Sequence, residues 1–162
     1  MKTTLFAFLF FLATATHAGD FAQPRPGLHT GGQPTLEQLD ALPTQGVHTV
    51  IDLRPDSEDH GYDEARELQQ RDLKYLRLPI AGPQDLTPAN ASALKKLLDA
   101  SGEGVLLHCA SGNRAGALLA LMAAQEEGTP PAEALELGKQ AGMTSLAPVI
   151  SEKLGLASQA TP

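Results

Sequence analysis

Cys109 is the only cysteine of the chain, and it lies in a stretch whose residue types could carry nucleophilic chemistry. The apolar run 104–107 before it predicts a buried strand, and the apolar run 117–124 after it predicts a buried helix. The loop between them would lie at a helix N-terminus, where free backbone N–H groups and the helix dipole favour an anion. Arg114, at the end of this loop, adds a cation that binds oxyanions through two parallel hydrogen bonds.

This position predicts a reactive thiol. A helix N-terminus and a nearby arginine both lower the pKa of a cysteine below its free value of about 8.5. We therefore predict that Cys109 is the nucleophile and that Arg114 holds the substrate anion. The rest of the predicted anion-binding loop consists of Ala110, Ser111, Gly112, Asn113 and Ala115. The alternative is a small buried cysteine without chemistry.

The first 18 residues predict a secretory signal. Lys2 precedes an apolar run at 5–15, and small residues near Ala18 supply a cleavage site. The run is too short for a stable membrane anchor, and no later run has transmembrane length. We expect residues 19–162 to be a single domain, ordered over about 26–156 and exported to the periplasm or the medium.

Composition excludes several classes of partner. The chain has 12 Lys and Arg against 19 Asp and Glu, and its formal net charge of −7 becomes −8 when Lys2 is lost with the signal. Such an acidic chain lacks the basic patch of a nucleic-acid-binding protein, so we predict a small anionic substrate held by a local pocket. The histidines show no metal-ligand spacing, and no second cysteine could join them, so we predict no metal. We also expect no cofactor. Nothing in the sequence specifies the oligomeric state.

Strand patterns alternate with helix patterns along the chain. The predicted strands lie at 28–32, 47–53, 74–78 and 104–107. The intervening helices have clear starts, namely a capping box at Thr35 and an N-cap at Thr87 followed by proline. This alternation predicts a three-layer α/β fold, with a four-stranded, mostly parallel sheet and helices on both faces.

The carboxyl ends of parallel strands are where such sheets bind ligands. The sequence places Cys109, Arg54 and the loop 79–85 at these ends. His108 precedes the cysteine on a strand, so its side chain should point away from the anion and support the loop from behind or satisfy a core position. Arg54 would widen the positive pocket, unless it pairs with Asp56 or Glu58.

The cysteine loop resembles two known patterns. His-Cys-x-x-Gly-x-x-Arg is the phosphate loop of tyrosine and dual-specificity phosphatases; Cys109 and Gly112 fit it, but Arg114 comes one residue early. Cys-x-x-Gly-x-Arg is the six-residue loop of rhodanese-like sulfurtransferases, and residues 109–114 fit it without a gap. The two patterns imply different reactions on the same cysteine.

Most of the mature chain resembles a small phosphatase-like domain that is attached to β-lactamase hydrolase-like proteins, which are metal-dependent hydrolases that handle persulfides. The resemblance rests on the stretches 32–35, 51–56 and 78–80 together with the cysteine loop. It implies the fold of the cysteine phosphatases. Members are called phosphatase-like or sulfur transferases, so the resemblance leaves the reaction open.

Loop length favours sulfur transfer over phosphoryl transfer. A phosphoryl group needs a wide ring of N–H donors around its three oxygens, whereas one sulfur atom needs less room. We therefore expect a sulfurtransferase that passes sulfane sulfur through a Cys109 persulfide. The alternatives are a phosphomonoester phosphatase with a Cys109 phosphocysteine and Asp85 as general acid, and a non-catalytic anion-binding module. Asp85 could equally be a solvated loop residue.

Overall fold

A computed structural model describes residues 21–156 of the chain. The strands are β1 Ala22–Arg25, β2 Leu28–Gly31, β3 Thr49–Asp52, β4 Lys74–Arg77 and β5 Val105–His108. The α-helices are α1 Leu36–Ala41, α2 Glu64–Gln69, α3 Pro88–Ser101, α4 Asn113–Glu126, α5 Pro131–Gln140 and α6 Ala147–Lys153. None of these helices is long and apolar enough to cross a membrane. The predicted secretory signal, residues 1–18, lies outside the described residues.

The strands form one sheet with the order β1-β2-β5-β3-β4. β1 is antiparallel to β2, and the remaining neighbours are parallel, which confirms the mostly parallel α/β fold. The prediction of four strands is wrong by one, because the chain before Leu28 adds β1 at the sheet edge. β1 carries no β-branched residue, and Pro24 is tolerated in it because one side of an edge strand has no partner.

The strand register brings four strand ends to one level. Gly31 of β2 aligns with His108 of β5, which aligns with Asp52 of β3, and Asp52 aligns with Arg77 of β4. Because these strands are parallel, the segments that follow them leave the sheet at the same edge. Cys109 follows the central strand β5 and therefore lies in the middle of this edge.

Alternate strand residues pack on opposite faces of the sheet. Val50 and Leu106 join a smaller core cluster with buried residues of α1 and α2. Ile51, Leu107 and Cys109 join a larger cluster with the buried sides of α3 and α4. This period of two sends Cys109 and His108 to different faces, and it produces the predicted three layers.

The predicted helix starts are confirmed. The Thr35 side chain accepts the backbone N–H of Gln38, while the Gln38 side chain accepts the backbone N–H of Thr35. The Thr87 side chain accepts the N–H of Asn90 at the start of α3, where Pro88 is the first helical residue. Local capping chemistry therefore fixes both helices without help from distant residues.

Gly116 sets the distance between α4 and α5. A Cβ added at Gly116 would lie 2.4 Å from the carbonyl oxygen of Gly138 and 2.5 Å from the backbone nitrogen of Met143. We expect Gly116→Ala to lower the free energy of unfolding by about 1–3 kcal/mol because the added methyl forces the helices apart. Urea unfolding measures this, and Gln125→Ala on the exposed side of α4 should change it by less than about 0.5 kcal/mol. Equal effects of both changes would show that the close approach is not required.

Candidate functional site

Cys109 is held at the N-terminus of α4. Its side chain is fully buried, and Sγ accepts a hydrogen bond from the backbone N–H of Gly112 at 3.1 Å. Gly112 is the N-cap residue of α4 and has a φ of +86°, a left-handed conformation that favours glycine. A Cβ there would also lie 3.3 Å from the carbonyl carbon of Gly31. The glycine is therefore required both by its conformation and by its closeness to β2.

The first turn of α4 supplies donors for an anion. Asn113, Arg114 and Ala115 are its first three residues, so their N–H groups have no helical acceptor. The dipole of this 14-residue helix adds partial positive charge at the same end. The helix start can therefore hold an oxyanion close to Cys109, as the sequence predicts.

The segment after β2 supports the outer side of the loop. Gly32 forms a backbone bridge with Ser111, and the N–H of Gln33 donates to the carbonyl of Ala110 at 3.3 Å. The side chains of Ala110 and Ser111 are exposed. These two residues therefore form the solvent-facing part of the loop.

The side chain of Asn113 points away from the anion site. Its Oδ1 accepts the N–H groups of Thr144 at 2.8 Å and Leu146 at 3.2 Å, and its Nδ2 donates to Ser145 Oγ at 2.7 Å. These bonds fasten the start of α4 to the turn before α6. Asn113 can therefore offer an anion its backbone N–H, while its side chain is already engaged.

Arg114 is held by two other loops. Its Nη1 donates to Glu58 Oε1 at 2.5 Å and to the carbonyl of Ile80 at 2.7 Å, and its Nη2 donates to Glu58 Oε2 at 2.8 Å. These bonds use three of the five guanidinium hydrogens. The Nε–H and the second Nη2–H share the adjacent edge of the fork, which can hold an oxyanion side-on. Glu58, which the sequence analysis did not assign to the site, therefore orients the cation.

The ion pair of Glu58 and Arg114 shifts the pKa values of both side chains. The hydrogen bond from Arg114 lowers the pKa of Glu58 below its ordinary value of 4.5. The hydrogen bond to Glu58, followed by the interaction with Cys109, raises the pKa of Arg114. Because the pKa of Glu58 is depressed, the stabilisation from this pair is fully present above about pH 4.5 and is lost as the pH falls through the lowered value.

We expect Glu58→Gln to raise KM for the anionic substrate about 2- to 10-fold with little change in kcat. The glutamine amide carries no negative charge, so it orients the Arg114 guanidinium less firmly than the glutamate does. The loss of one charged hydrogen bond has a moderate effect on binding. Steady-state kinetics of Glu58→Gln measure this change in KM. Asp59→Asn removes the charge of the neighbouring exposed residue, and this control variant should leave KM unchanged. A lower KM in Glu58→Gln would mean that Glu58 competes with the substrate for Arg114.

Four ionisable side chains are buried together behind the loop, and we call Asp52, Arg54, Glu64 and His108 the buried charge cluster. Arg54 donates from Nε to Asp52 Oδ1 at 2.9 Å and from Nη2 to Asp52 Oδ2 at 3.0 Å, and Nη2 also donates to Glu64 Oε2. His108 Nε2 lies 3.1 Å from Glu64 Oε1. His108 Nδ1 lies 3.3 Å from the carbonyl oxygen of Cys109. The cluster therefore touches the backbone of the predicted nucleophile.

Asp52 is the ionised centre of this cluster. Burial opposes its ionisation, but hydrogen bonds from Arg54 hold the pKa of Asp52 below its ordinary value. Tyr75 adds a hydrogen bond from its hydroxyl to Asp52 Oδ2 at 2.9 Å. Burial, followed by the charge of Asp52, raises the pKa of Tyr75, so this hydroxyl remains a donor.

The buried charge cluster includes residue types that bind metals, but the Arg54 guanidinium supplies the positive charge that a metal ion would bring. Asp52, Glu64 and His108 offer ligand atoms within 4.8 Å of one another. The Arg54 guanidinium donates to both carboxylates and supplies the compensating positive charge. A metal ion would add a second buried cation beside this guanidinium, so these residues do not fit a metal centre.

Arg54 does not line the anion pocket. The sequence predicts a guanidinium that widens the pocket or pairs with Asp56 or Glu58. The Arg54 side chain is instead fully buried, and the carboxylates of the buried charge cluster neutralise it. Arg54 therefore supports the site from behind and adds no charge to the anion pocket.

Asp85 lies in a loop that adjoins Arg114. The loop begins at Ile80, whose carbonyl accepts from Arg114, and it contains a 3-10 turn at Pro83–Asp85. Asp85 is half-buried, and its Oδ2 accepts the N–H of Ala81 at 2.7 Å. The hydrogen bonds of residues 21–156 link Asp85 to its own loop and the start of α3, not to the cysteine loop.

Relatives of the chain are longer proteins that match it over part of their length. A β-lactamase hydrolase-like protein of Xylella fastidiosa is 33% identical over 98 residues, which cover 58% of this chain and 22% of that protein. One from Agrobacterium fabrum is 30% identical over 120 residues, which cover 71% of this chain and 27% of that protein. The chain therefore spans about a quarter of the length of these curated relatives.

Solved structures share the fold at low sequence identity. A phosphatase-like protein of Neisseria meningitidis z2491 has a TM-score of 0.69 at 19% identity, covering 82% of this chain and 96% of that one. A cysteine-to-serine variant of TpbA from P. aeruginosa, solved with phosphotyrosine, has a TM-score of 0.63 at 22% identity, covering 90% and 100%. The family described as DSP-PTPase phosphatase fused to NAD+ kinase matches residues 13–146. The chain therefore belongs to this family of phosphatase-like enzymes.

Proposed function

We propose that the chain hydrolyses phosphomonoesters through a Cys109 phosphocysteine. The observation that carries this proposal is the placement of Cys109 beside the Arg114 guanidinium at the N-terminus of α4. Membership of a phosphatase-like family supports it. The phosphotyrosine bound to TpbA, which shares the fold, indicates the class of substrate.

The reaction has two steps. Cys109 Sγ, as the thiolate, attacks phosphorus, and the ester P–O bond breaks while Asp85 protonates the leaving oxygen. Water then attacks phosphorus, the S–P bond breaks, and the Asp85 carboxylate takes the proton from water. Arg114 and the free N–H groups of α4 hold the phosphoryl oxygens in both steps. The thiolate is regenerated, and the products are inorganic phosphate and an alcohol or phenol.

Sulfur transfer is the second candidate, and the six-residue length of the loop 109–114 favours it. Cys109 Sγ would attack the outer sulfur of thiosulfate, the S–S bond would break, and sulfite would leave. The resulting persulfide would pass its outer sulfur to an acceptor such as cyanide. This route needs no proton donor, so it has no use for Asp85. Family membership supports phosphoryl transfer instead, and this reverses the order that loop length alone suggests.

Two substrates with different leaving groups test the phosphatase proposal. We expect Asp85→Asn to lower kcat about 10²- to 10³-fold on an alkyl phosphate, whose leaving oxygen requires a proton. The loss should be much smaller on nitrophenyl phosphate, whose leaving group is stable as an anion. Cys109→Ser should abolish release of phosphate from both substrates. Asp99→Asn, an exposed carboxylate of α3, serves as the matched control.

The outcomes separate the candidate functions. An equal effect of Asp85→Asn on both substrates would remove Asp85 as the general acid. Failure to release phosphate, together with a cyanide-removable sulfur on Cys109, would put sulfur transfer first. Failure of both reactions would leave the anion-binding module, particularly if Cys109 does not react with an alkylating reagent near neutral pH. A fully buried sulfur reacts only if neighbouring atoms move, so alkylation also tests access to the thiol.

We also propose that the chain is exported to the periplasm or the medium. Lys2, the apolar run at 5–15 and the small residues near Ala18 support this proposal. N-terminal sequencing of the protein from envelope and medium fractions should find a start near Gly19. Recovery of the protein only in the cytosol, with its first residues intact, would contradict export.

A further inference from the structure

A cleft of about 390 Å³ lies between the loop before α2, the start of α2 and the end of β4. Asp56, Tyr62, Asp63 and Tyr75 line it, and the proposed reaction uses none of these residues. Glu64 of the buried charge cluster also lines the cleft; because only 2% of its surface is exposed, it belongs to the inner wall. The cleft is a second candidate binding site, separate from the cysteine loop.

The carboxylates of the cleft have unused hydrogen-bonding capacity. Asp56 accepts from Arg77 through Oδ1, and Asp63 accepts a backbone N–H through Oδ1, but the second oxygen of each has no hydrogen-bond partner in the part of the chain that the structure describes. Glu64 Oε1 is buried and makes no hydrogen bond there either, although His108 Nε2 lies 3.1 Å away. The lining thus holds three carboxylates against the one guanidinium of Arg77. This excess of acceptors and negative charge suits a cationic donor.

The cleft also contains both tyrosines of the chain, Tyr62 and Tyr75. The Tyr62 hydroxyl donates to the carbonyl of Pro34 at 2.7 Å, and the Tyr75 hydroxyl donates to Asp52 Oδ2 at 2.9 Å. Burial raises the pKa of both hydroxyls, that of Tyr62 to about 12, so both side chains stay neutral. Because the hydroxyls are engaged, the tyrosines offer a ligand their aromatic rings. Aromatic rings beside carboxylates attract organic cations.

The loop before α2 contributes to both the cleft and the anion site. Glu58 of this loop binds Arg114, whereas Asp56, two residues earlier, and His60, two residues later, line the cleft. Two residues of chain span at most about 7 Å. A substrate whose phosphoryl group occupies the anion site can therefore extend a long side chain across the loop into the cleft.

We propose that this cleft binds a cationic group of the substrate, so that the enzyme prefers phosphomonoesters that carry an ammonium or guanidinium group near the phosphate. This inference deepens the proposed function and rests on it. A phosphopeptide with lysine or arginine beside the phosphorylated residue fits best, because these side chains place their charge well away from the peptide backbone. The net charge of −7 favours such substrates over those with additional acidic groups.

The cleft suits an organic cation rather than a metal ion. Asp56 and Asp63 are exposed, so a cation bound between them keeps part of its water and lies outside the buried charge cluster. The neutral tyrosine rings attract a cation through their faces. Neither feature provides the close set of ligand atoms that a metal ion requires.

Tyrosine fluorescence and tyrosine ring NMR signals test cation binding without any turnover. The chain has no tryptophan, and its two tyrosines both line the cleft, so both signals report on this site. We expect N-acetyl-arginine amide, which has a positive charge and no carboxylate, to shift both signals at roughly millimolar concentrations. N-acetyl-citrulline amide, its neutral analogue, should not shift them. Equal responses to the two probes would overturn the proposal.

Paired phosphotyrosine peptides test the effect on specificity. One peptide has arginine beside the phosphotyrosine, and the other has citrulline, which is neutral and nearly the same shape. We expect kcat/KM to be about 10-fold higher for the arginine peptide, from an exposed ion pair combined with a cation–π contact. Asp56→Asn/Asp63→Asn should lower this ratio below about 3-fold, and asparagine keeps the N-cap of α2. Asp59→Asn, in the same loop but outside the cleft, is the matched control and should retain the ratio.

Small phosphate esters identify the source of the cation. If 6-aminohexyl phosphate is cleaved faster than hexyl phosphate, and Asp56→Asn/Asp63→Asn removes the difference, any tethered ammonium group is sufficient. If the preference is confined to peptides, the cation is a basic side chain of a peptide. Either preference supports the cation site in the cleft.

The remaining outcomes separate this proposal from the proposed function. Cleavage of both peptides at the same rate by the wild type would overturn the cation site and leave the phosphatase function intact. If no phosphomonoester is cleaved, but N-acetyl-arginine amide binds and Asp56→Asn/Asp63→Asn abolishes its binding, the cation site stands and the proposed function fails. If this variant does not fold, the wild-type comparison of arginine with citrulline decides.

Discussion

Replacement of Arg114 by lysine is expected to lower kcat/KM about 10²- to 10³-fold, because it removes the planar fork that holds the phosphoryl oxygens side-on. Lysine keeps the positive charge but offers a point contact without the paired geometry. Glu58 and the carbonyl of Ile80 would also lose the donor that they share. The loss therefore combines weaker contacts to the transferring group with a less ordered cation.

Kinetics on one phosphomonoester measure this effect, with the melting temperature recorded alongside. Arg66→Lys, an exposed arginine of α2, provides the matched control and should leave kcat/KM unchanged. A loss of less than about 10-fold in Arg114→Lys would contradict the assignment of Arg114 as the bidentate anion clamp.

Replacement of Arg54 by methionine should lower the free energy of unfolding by about 3–5 kcal/mol, the cost typical of breaking a buried ion pair. The side chain is fully buried and binds Asp52 and Glu64. Methionine fills much of the same volume but leaves two buried carboxylates without their guanidinium. The destabilisation then comes from uncompensated charge rather than from a cavity.

Urea unfolding at neutral and acid pH measures the effect of Arg54→Met. Because the pKa of Asp52 is depressed in the folded protein, its stabilising contribution is present at neutral pH and is lost as the pH falls through the lowered value. The difference between wild type and Arg54→Met should therefore shrink at low pH. Arg71→Met, which breaks ion pairs with Asp40 and Glu67 at the surface, should cost about 1 kcal/mol or less. Similar stabilities for Arg54→Met and wild type at pH 7 would contradict the buried charge cluster.

Features that depend on neighbouring residues were predictable from the sequence. The capping box at Thr35 and the N-cap at Thr87 use side chains within one helical turn, and both form as predicted. The strand, tight loop and helix around Cys109 follow from two apolar runs separated by a short polar stretch. Local hydrogen bonding and hydrophobic periodicity carry this information in full.

Partners across the fold were not predictable in the same way. Glu58 and Glu64 lie in a stretch rich in acidic residues, and sequence spacing cannot select which of these carboxylates turns inward. The position of Glu64 on α2 places its carboxylate in the buried charge cluster, and the loop before α2 places the Glu58 carboxylate beside Arg114. β1 was missed for a similar reason, because its pairing depends on the neighbouring edge of β2 rather than on its own composition.

The pairing of Arg54 with Asp52 is a contact that the sequence alone could have predicted. Asp52 is a carboxylate at the end of a strand that is buried throughout, and a buried carboxylate needs a positive partner. Arg54 lies two residues later, just after the strand, and is near enough in sequence for its side chain to reach Asp52. Pairing with Asp52 follows from these facts, and it takes the place of the predicted pairing with Asp56 or Glu58.

The most direct test of the central claim is the intact mass of the protein during turnover. Protein beginning at Gly19 is mixed with a phosphomonoester, quenched rapidly in acid and weighed beside Cys109→Ser and Asp85→Asn. We expect a phosphoryl group on Cys109 of the wild type and none on Cys109→Ser. Release of phosphate without a phosphoryl adduct on Cys109 would contradict the phosphocysteine account. A gain of one sulfur atom from thiosulfate, without any phosphatase activity, would also contradict it.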